Sequence, residues 1–408
     1  MKIAILGYGK EGQAAEKYFL RHNSDAEIKV YQDFTAEEIA KEDFSEYDLV
    51  LRSPSVRPMP GVTSMTRYFF ESAPAQIIGV TGTKGKGTTC SLIRAIFEAM
   101  GRKVYLVGNI GVPAIEVLDG LKSDDVVVYE MSSFQLWDLE NSPHVAVVLG
   151  IEPDHLNVHR DFEEYVEAKA NIARYQTMED YCIYNQNNEF SRRIAEISEG
   201  TLVPYPIDDA RLNSALEHLA IVGRHNRENA MAAVAAVAAY LNLEVDELLE
   251  RYFAEICRGL ESFNGLPHRL EFLREINGVK YYDDNFSTNP ASTKVAIEAF
   301  PDEKIVLIAG GRDKTDNADI EEIYGLLQSE NITKVVLMGE SGHEIYRRHE
   351  DEKFVLVESL EDAVRSAQQS SEKTGASVVL MSPAAASFDM FENVYDRGAK
   401  FQEIIAKL

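Results

Sequence analysis

The chain has 408 residues, 45% of them hydrophobic and 26% charged, with a formal net charge of −26 at pH 7. That length exceeds one typical core and predicts two or three soluble globular domains. The acidic balance excludes a general nucleic-acid or anionic-membrane surface and requires any phosphate site to be locally basic, while three scattered cysteines, Cys90, Cys182 and Cys257, exclude a disulfide framework and point to a reduced, cytoplasmic protein.

The apolar run Ile3 to Leu6 is too short for a secretory signal. No run approaches the roughly 20 residues of a membrane span. Lys2 to Leu6 reads as a strand, Gly7-Tyr8-Gly9-Lys10-Glu11-Gly12 as a turn, and the stretch through Ala14, Ala15 and Phe19 as a helix. A second strand, Glu27 to Tyr31, runs out at Asp33. A G-x-G-x-x-G turn with an acid about 20 residues further on fits an NAD-binding domain, or a Rossmann-like unit that holds another nucleotide or none. This block ends near Met59-Pro60-Gly61, and a linker runs to Pro74.

The second block opens on residues 79 to 93, GVTGTKGKGTTCSLI, between an apolar strand and a helical pattern through Leu92, Ile93, Ile96 and Phe97. Strand, glycine-rich turn and helix are the context of a phosphate loop, whose backbone N–H groups and helix dipole favour an anion. Lys86 is placed to reach the β- and γ-phosphates, and Thr88 or Thr89 to supply a hydroxyl for Mg²⁺. Strand-like runs follow at Lys103 to Val107, Asp125 to Met131 and Val145 to Ile151, alternating with helices, which predicts a parallel, buried sheet. An amphipathic helix spans Phe162 to Tyr175, and an Ala-rich one runs from Asn226 to Leu241.

The third block begins after Gly265-Leu266-Pro267. Arg269 to Ile276 and Val279 to Asp283 flank Asn277-Gly278, a strong hairpin signal. Asn289-Pro290 reads as an N-cap with a first-turn proline. Strands at Lys304 to Ala309, Lys334 to Met338, Phe354 to Val357 and Ser377 to Met381 alternate with helices, giving a second open α/β sheet.

Ligands gather at the carboxyl ends of parallel strands. Glu130 ends the run Val126 to Tyr129 and is placed there to hold Mg²⁺, and Asp154-His155 follows the next strand onto the same edge. Lys169 lies among Glu163, Glu164 and Glu167, which by local composition reads as a solvated helix face.

Eight segments in chain order resemble the Mur ligase family: GTKGKGTT, GNIG (Gly108 to Gly111), EMSSFQL (Glu130 to Leu136), DHLNVH (Asp154 to His159), EAKANI (Glu167 to Ile172), RHNRENAMAA (Arg224 to Ala233), PHRLE (Pro267 to Glu271) and SPAAASFDMFENVYDRG (Ser382 to Gly398). The run DNFSTNPAST and the C-terminal ASFDMF…RG resemble its D-glutamate-adding branch. The resemblance implies an α/β fold of three domains: a Rossmann-like UDP-precursor-binding domain over 1–75, a central P-loop ATPase-type parallel-sheet domain over 76–266, and a C-terminal Rossmann-like amino-acid-binding domain over 267–408. It implies a monomer that uses ATP and two Mg²⁺ ions to join D-glutamate to UDP-N-acetylmuramoyl-L-alanine through an acyl phosphate.

By the same resemblance, Gly82, Thr83, Lys84, Gly85, Lys86, Gly87, Thr88 and Thr89 cradle ATP, with Asn226, Asn229, Arg269 and Asp284 as further nucleotide contacts. Thr88, Glu130, His155 and a carbamylated Lys169 hold the metals, and Asn109 lies near the γ-phosphate. Gly9, Asp33 and Ser132 belong to the UDP-precursor site, which replaces NAD as the expected occupant of the first block. Thr288, Lys314, Ser387 and Phe388 belong to the D-glutamate site, while His268 and Asp389 are expected to be local structure. Four positions depart from the pattern: Gly87 follows the loop lysine where Ser or Thr is usual, Lys84 replaces an Asn, Phe286 stands where the branch carries a lysine, and Ser55 replaces a glycine before the linker. Alternatives are another Mur ligase, a folylpolyglutamate-synthetase-like ligase, a non-catalytic nucleotide-binding relative, or an NAD-dependent oxidoreductase that leaves the central loop unexplained.

Overall fold

Strands that alternate with helices form three separate sheets in the computed structural model, which describes residues 1–39, 41–312 and 320–408. The first contains β1 (Lys2–Leu6), β2 (Glu27–Tyr31), β3 (Leu49–Arg52) and β4 (Thr63–Ser64), in the order β2-β1-β3-β4 and parallel throughout. Helix Lys10–His22 follows the glycine turn, and the Gly7 N–H bonds to the Tyr31 carbonyl at 2.9 Å, tying that turn to the end of β2.

The central sheet is also all parallel. Its strands are β5 (Ile77–Thr81), β6 (Val104–Gly108), β7 (Val126–Glu130), β8 (Val145–Val148), β9 (Tyr181–Asn185) and β10 (Thr201–Tyr205), in the order β10-β9-β8-β5-β7-β6. β5, β7 and β8 are buried along their whole length, as their continuous apolar runs require in a sheet covered on both faces. One face packs on helix Lys86–Ala99, on Ala230 to Ala239 and on helix Val245–Ser262; the other packs on helix Phe162–Arg174. Gly259 lets helix Val245–Ser262 lie close against helix Lys86–Ala99, since a Cβ there would lie 2.6 Å from the Ile96 Cα. β9 and β10 lack a clear sequence signal. β10 carries Pro204, which is tolerated because this strand is the sheet edge, where the missing N–H costs no ladder bond.

The third sheet comprises β11 (Glu271–Ile276), β12 (Val279–Asp283), β13 (Ile305–Ala309), β14 (Ile332–Leu337), β15 (Phe354–Leu356) and β16 (Val378–Met381), in the order β11-β12-β16-β13-β14-β15. β11 and β12 are antiparallel and all other pairs parallel. Their connection, Asn277-Gly278, has positive φ at both residues, 53° and 80°, the conformation that makes this dipeptide a hairpin former.

The chain divides into two compact units, Met1–Leu219 with Arg227–Phe263, and Ala220–Asn226 with Asn264–Leu408. The first holds the first two sheets, the second holds the third. Among the described residues no helix is long and apolar enough to cross a membrane.

Candidate active site

Because β8, β5 and β7 are adjacent and parallel, their carboxyl ends share one edge, and the glycine loop leaves β5 there. Gly82 and Gly85 have φ of 149° and 85°, a region that favours residues without Cβ. A Cβ on Gly82 would meet Leu149, and one on Gly85 would strike the Asn229 carboxamide. The loop is pinned by the Thr83 N–H on the Gly150 carbonyl at 2.8 Å, and Thr83 Oγ1 accepts from the Glu152 N–H at 2.9 Å. Helix Lys86–Ala99 starts at the lysine, and no side chain caps it, the arrangement of an anion-binding helix start. Lys86 Nζ donates to the carbonyls of Gly82 and Thr83 at 2.9 and 3.0 Å, so its ammonium already lies over the loop. Thr88, next to Gly87 in the first turn, is half-buried, whereas Thr89 is wholly buried with a hydroxyl that has no partner among the described residues; Thr88 is therefore the accessible hydroxyl. Lys84 is exposed and pairs with Glu152 at 3.7 Å on the rim.

Glu130 ends β7 with 6% of its surface exposed, and its carboxylate accepts from Asn109 Nδ2 at 3.3 Å. The Asn109 N–H also bonds to the Glu130 carbonyl. Lys169 corrects the reading from local composition. It is 1% exposed, because the helical period places Tyr165, Ala168, Lys169 and Ile172 on the buried face while the glutamates turn outward. Its ammonium donates to the Gly82 carbonyl at 2.9 Å and to Thr81 Oγ1 at 3.2 Å, and lies 4.8 Å from the Tyr165 ring centre. Burial first, and the Lys86 charge second, pull its pKa well below the usual lysine range.

His155 has a left-handed backbone, φ 53°, and an imidazole about half exposed, 3.6 Å from the Asp154 carboxylate and edge-on to Phe134. It makes no hydrogen bond to Glu130 or Lys169. Its loop is anchored by a residue not singled out from sequence: His159 is buried, its Nε2 lies 2.9 Å from Ser133 Oγ, and its ring stacks on Phe134.

Ser132 caps the short helix Ser133–Leu136, and its hydroxyl and N–H both bond to Gln135 Oε1. Gln135 Nε2 then donates to Glu11 Oε1 at 3.0 Å. Glu11 lies in the glycine turn of the first sheet, so the two sheets of this unit meet where Gly9 starts helix Lys10–His22. Asp33 lies just past β2 and is exposed. Neither Glu11 nor Gln135 stands out in sequence, since their contact spans 124 positions.

In the second unit, Asp284 follows β12, is 6% exposed, and accepts from the Leu270 N–H at 3.2 Å and from Ser382 Oγ at 2.6 Å. Burial raises its pKa to about 7. His268 donates to Asp283 at 2.7 Å, a bond that raises the imidazole pKa, and the Arg269 side chain beside it is exposed. Ser387 is buried and among the described residues its hydroxyl has no partner, Phe388 is 60% exposed, and Thr288 is half-buried. Asp389 accepts from the Glu340 N–H, 49 positions away, and Asn226 Nδ2 donates to the Val222 carbonyl. Asn229, by contrast, belongs to the first unit, beside Gly85. Lys314 lies outside the described residues.

The oxygen donors on the first unit's sheet edge, the Glu130 carboxylate and the Thr88 hydroxyl, have the hard chemistry that suits Mg²⁺ beside an anion-binding helix start. His268, Glu271 and Asp283 also cluster at metal-ligand spacing. There, Gln402 Nε2 sits among them, 2.8 Å from Glu271 and 3.0 Å from Asp283, which makes a closed hydrogen-bond network instead.

Residues 80–212 match the Mur ligase middle domain, and residues 268–384 match the Mur ligase, glutamate ligase domain. The UDP-N-acetylmuramoylalanine–D-glutamate ligase of Acetivibrio thermocellus is 34% identical, covering 99% of this chain and 96% of that relative. The chain belongs to the Mur ligase family. A second relative with the same name, from Clostridium kluyveri, is 35% identical over 89% of this chain and 83% of its own length. Among solved structures, the Mur ligase fold recurs in UDP-N-acetylmuramate–alanine ligase from Thermotoga maritima, with TM-score 0.60 and 18% identity over 100% and 99% of the two chains. It recurs in E. coli FolC, solved with ADP, with TM-score 0.55 and 19% identity over 84% and 92%.

Proposed function

We propose that this Mur ligase is an ATP-dependent amide ligase that joins D-glutamate to UDP-N-acetylmuramoyl-L-alanine in peptidoglycan precursor synthesis. A carboxylate is a poor electrophile, so its oxygen first attacks the γ-phosphorus of ATP and ADP leaves. The amine of D-glutamate then attacks the acyl carbon, phosphate leaves, and the amine gives up its proton. The residues act by position and charge. Lys86 exchanges two loop carbonyls for β- and γ-phosphate oxygens, a charge-assisted and stronger pairing. Thr88 and Glu130 would hold Mg²⁺, which supplies positive charge where anionic carboxylate and phosphate meet. Asn109 is oriented for the γ-phosphate by its bond to Glu130.

The observation that carries this reading is the burial of Lys169 on the phosphate loop. Simple ATP binding gives no reason to bury a second lysine there. As a carbamate it would present oxygens suited to a second Mg²⁺, with His155 as the other ligand. The UDP precursor is assigned to Gly9, Asp33 and Ser132, nucleotide contacts on the second unit to Asn226, Arg269 and Asp284, and D-glutamate to Thr288, Ser387 and Phe388. Residues 1–75, 76–266 and 267–408 are the corresponding domains of a cytoplasmic monomer.

The test is an acceptor screen. Purified protein, ATP and UDP-N-acetylmuramoyl-L-alanine are incubated with D-glutamate, L-alanine or L-lysine, and phosphate release is measured. D-Glutamate should exceed the others by at least about 100-fold, because a site built around a charged group rejects analogues lacking it. Equal turnover with L-alanine or L-lysine overturns the acceptor assignment, and no turnover with any acceptor overturns the ligase reading.

A further inference from the structure

We propose that Phe286 is a positioning residue for Arg269: its ring holds the guanidinium ready for nucleotide phosphate, so the residue governs nucleotide affinity and not acceptor affinity. This rests on the ligase reading only in assigning Arg269 to the nucleotide. The Arg269 Cζ lies 5.3 Å from the centre of the Phe286 ring, inside the distance of about 6 Å at which a cation is drawn to an aromatic face. The ring itself is fixed. The Phe286 N–H donates to the His268 carbonyl at 3.1 Å, the His268 imidazole stacks on it at 5.8 Å and 24°, and Tyr395 meets it edge-on at 5.1 Å and 81°.

The backbone of Arg269 is fixed as well. Its neighbours His268 and Leu270 both have left-handed backbones, φ 61° and 47°, a conformation that persists only where the surroundings impose it. They are imposed by the His268 N–H on Glu271 at 2.8 Å and the Leu270 N–H on Asp284 at 3.2 Å. Between these two anchors the Arg269 side chain is exposed, and among the described residues no carboxylate pairs with it. The Phe286 ring is therefore what restrains the guanidinium. An exposed arginine otherwise loses its full rotamer freedom on meeting a ligand, whereas a stacked, planar fork meets phosphate oxygens already oriented. A lysine at 286 would place a second cation about 5 Å from the first and push it away.

The experiment is a double-mutant cycle on the full chain with Phe286→Leu, Phe286→Trp, Arg269→Ala and Arg269→Ala/Phe286→Leu. A non-hydrolysable ATP analogue is titrated against each, and KM is measured for ATP and for D-glutamate. Phe286→Leu should weaken analogue binding and raise the ATP KM by about two- to fivefold, the range expected of a lost cation–ring contact at an exposed site, and leave the D-glutamate KM unmoved. Phe286→Trp should bind as the parent does, and Phe286→Leu should add nothing once Arg269 is alanine. The inference is overturned if Phe286→Leu raises the D-glutamate KM and spares ATP, if the two single losses multiply in the double variant, or if Phe286→Trp binds as poorly as Phe286→Leu. Failure of the ligase reading shows separately, as absent product in the parent protein, because the titration needs no acceptor.

Discussion

Lys86 and Lys169 donate to one oxygen: the Gly82 carbonyl lies 2.9 Å from each ammonium. Two like charges on one acceptor, in a buried position, favour neutral Lys169. A neutral amine is the form that adds carbon dioxide; the addition releases a proton and would leave a carbamate anion beside Lys86. The shared carbonyl thus joins the loop that would grip the triphosphate to the lysine that would help hold the metal.

Lys169→Ala should lower ligase turnover by at least about 100-fold, the scale of removing one well-placed electrostatic group. Lys169→Arg should fare no better, since a guanidinium keeps its charge and cannot form the carbamate. A short carboxylic acid should restore part of the Lys169→Ala activity. Phosphate release checks all three, and a fully active Lys169→Ala enzyme rules the role out.

Ser387 offers a sharper separation of binding from stability. Among the described residues its buried hydroxyl has no partner, so the folded state already bears the cost of desolvating it. Ser387→Ala should therefore leave the urea midpoint unchanged or raise it slightly. If that hydroxyl serves D-glutamate, the same variant should raise the D-glutamate KM by about tenfold, the loss of one hydrogen bond to a charged group. A lowered midpoint with an unchanged KM would show it to be structural.

Asp284 predicts a pH dependence. Burial holds its carboxyl at about 7 in the fold, against an ordinary 3.8. The folded chain binds this proton more tightly than the unfolded chain does, so the contribution is complete below about pH 4 and is lost as pH rises towards 7. Asp284→Asn removes the titration. Relative to the parent, it should gain on the order of 4 kcal/mol more stability at pH 8 than at pH 4. Urea unfolding of the intact chain at both values is the check, and a gain of equal size at both would refute the assignment. Nucleotide affinity should fall in the same variant if Asp284 contacts ATP.

The glycine loop, the strand ends and the hairpin were legible in sequence because each depends on neighbours within a few positions. Lys169 misled local composition because burial follows the helical period, and acids one turn away do not share its face. β10 was hidden by Pro204, which is harmless only because the strand turned out to be an edge. The bonds of His159 to Ser133 and of Gln135 to Glu11 join segments far apart in the chain, and periodicity carries no information at that range. Choosing Thr88 over Thr89 needed the depth of each hydroxyl, which the pair TT does not encode.

Glu11 yields the last prediction. One carboxylate oxygen accepts from Gln135, while the other is buried with no partner among the described residues. Burial, the largest influence, raises its pKa; the Gln135 bond and the Arg52 charge oppose it without cancelling it. Its stabilising contribution is thus present below about pH 4.5 and fades as pH rises through the elevated folded value. Glu11→Gln keeps an oxygen for Gln135 and removes the charge, so it should raise the thermal midpoint at pH 8, with little change near pH 4. Glu11→Ala instead frees Gln135 and, through it, Ser132. It should raise the KM for the UDP precursor by about tenfold while the ATP KM stays put, the signature of a lost positioning contact. Equal KM values for Glu11→Ala and Glu11→Gln would mean that the glycine turn and the Ser132 segment work independently.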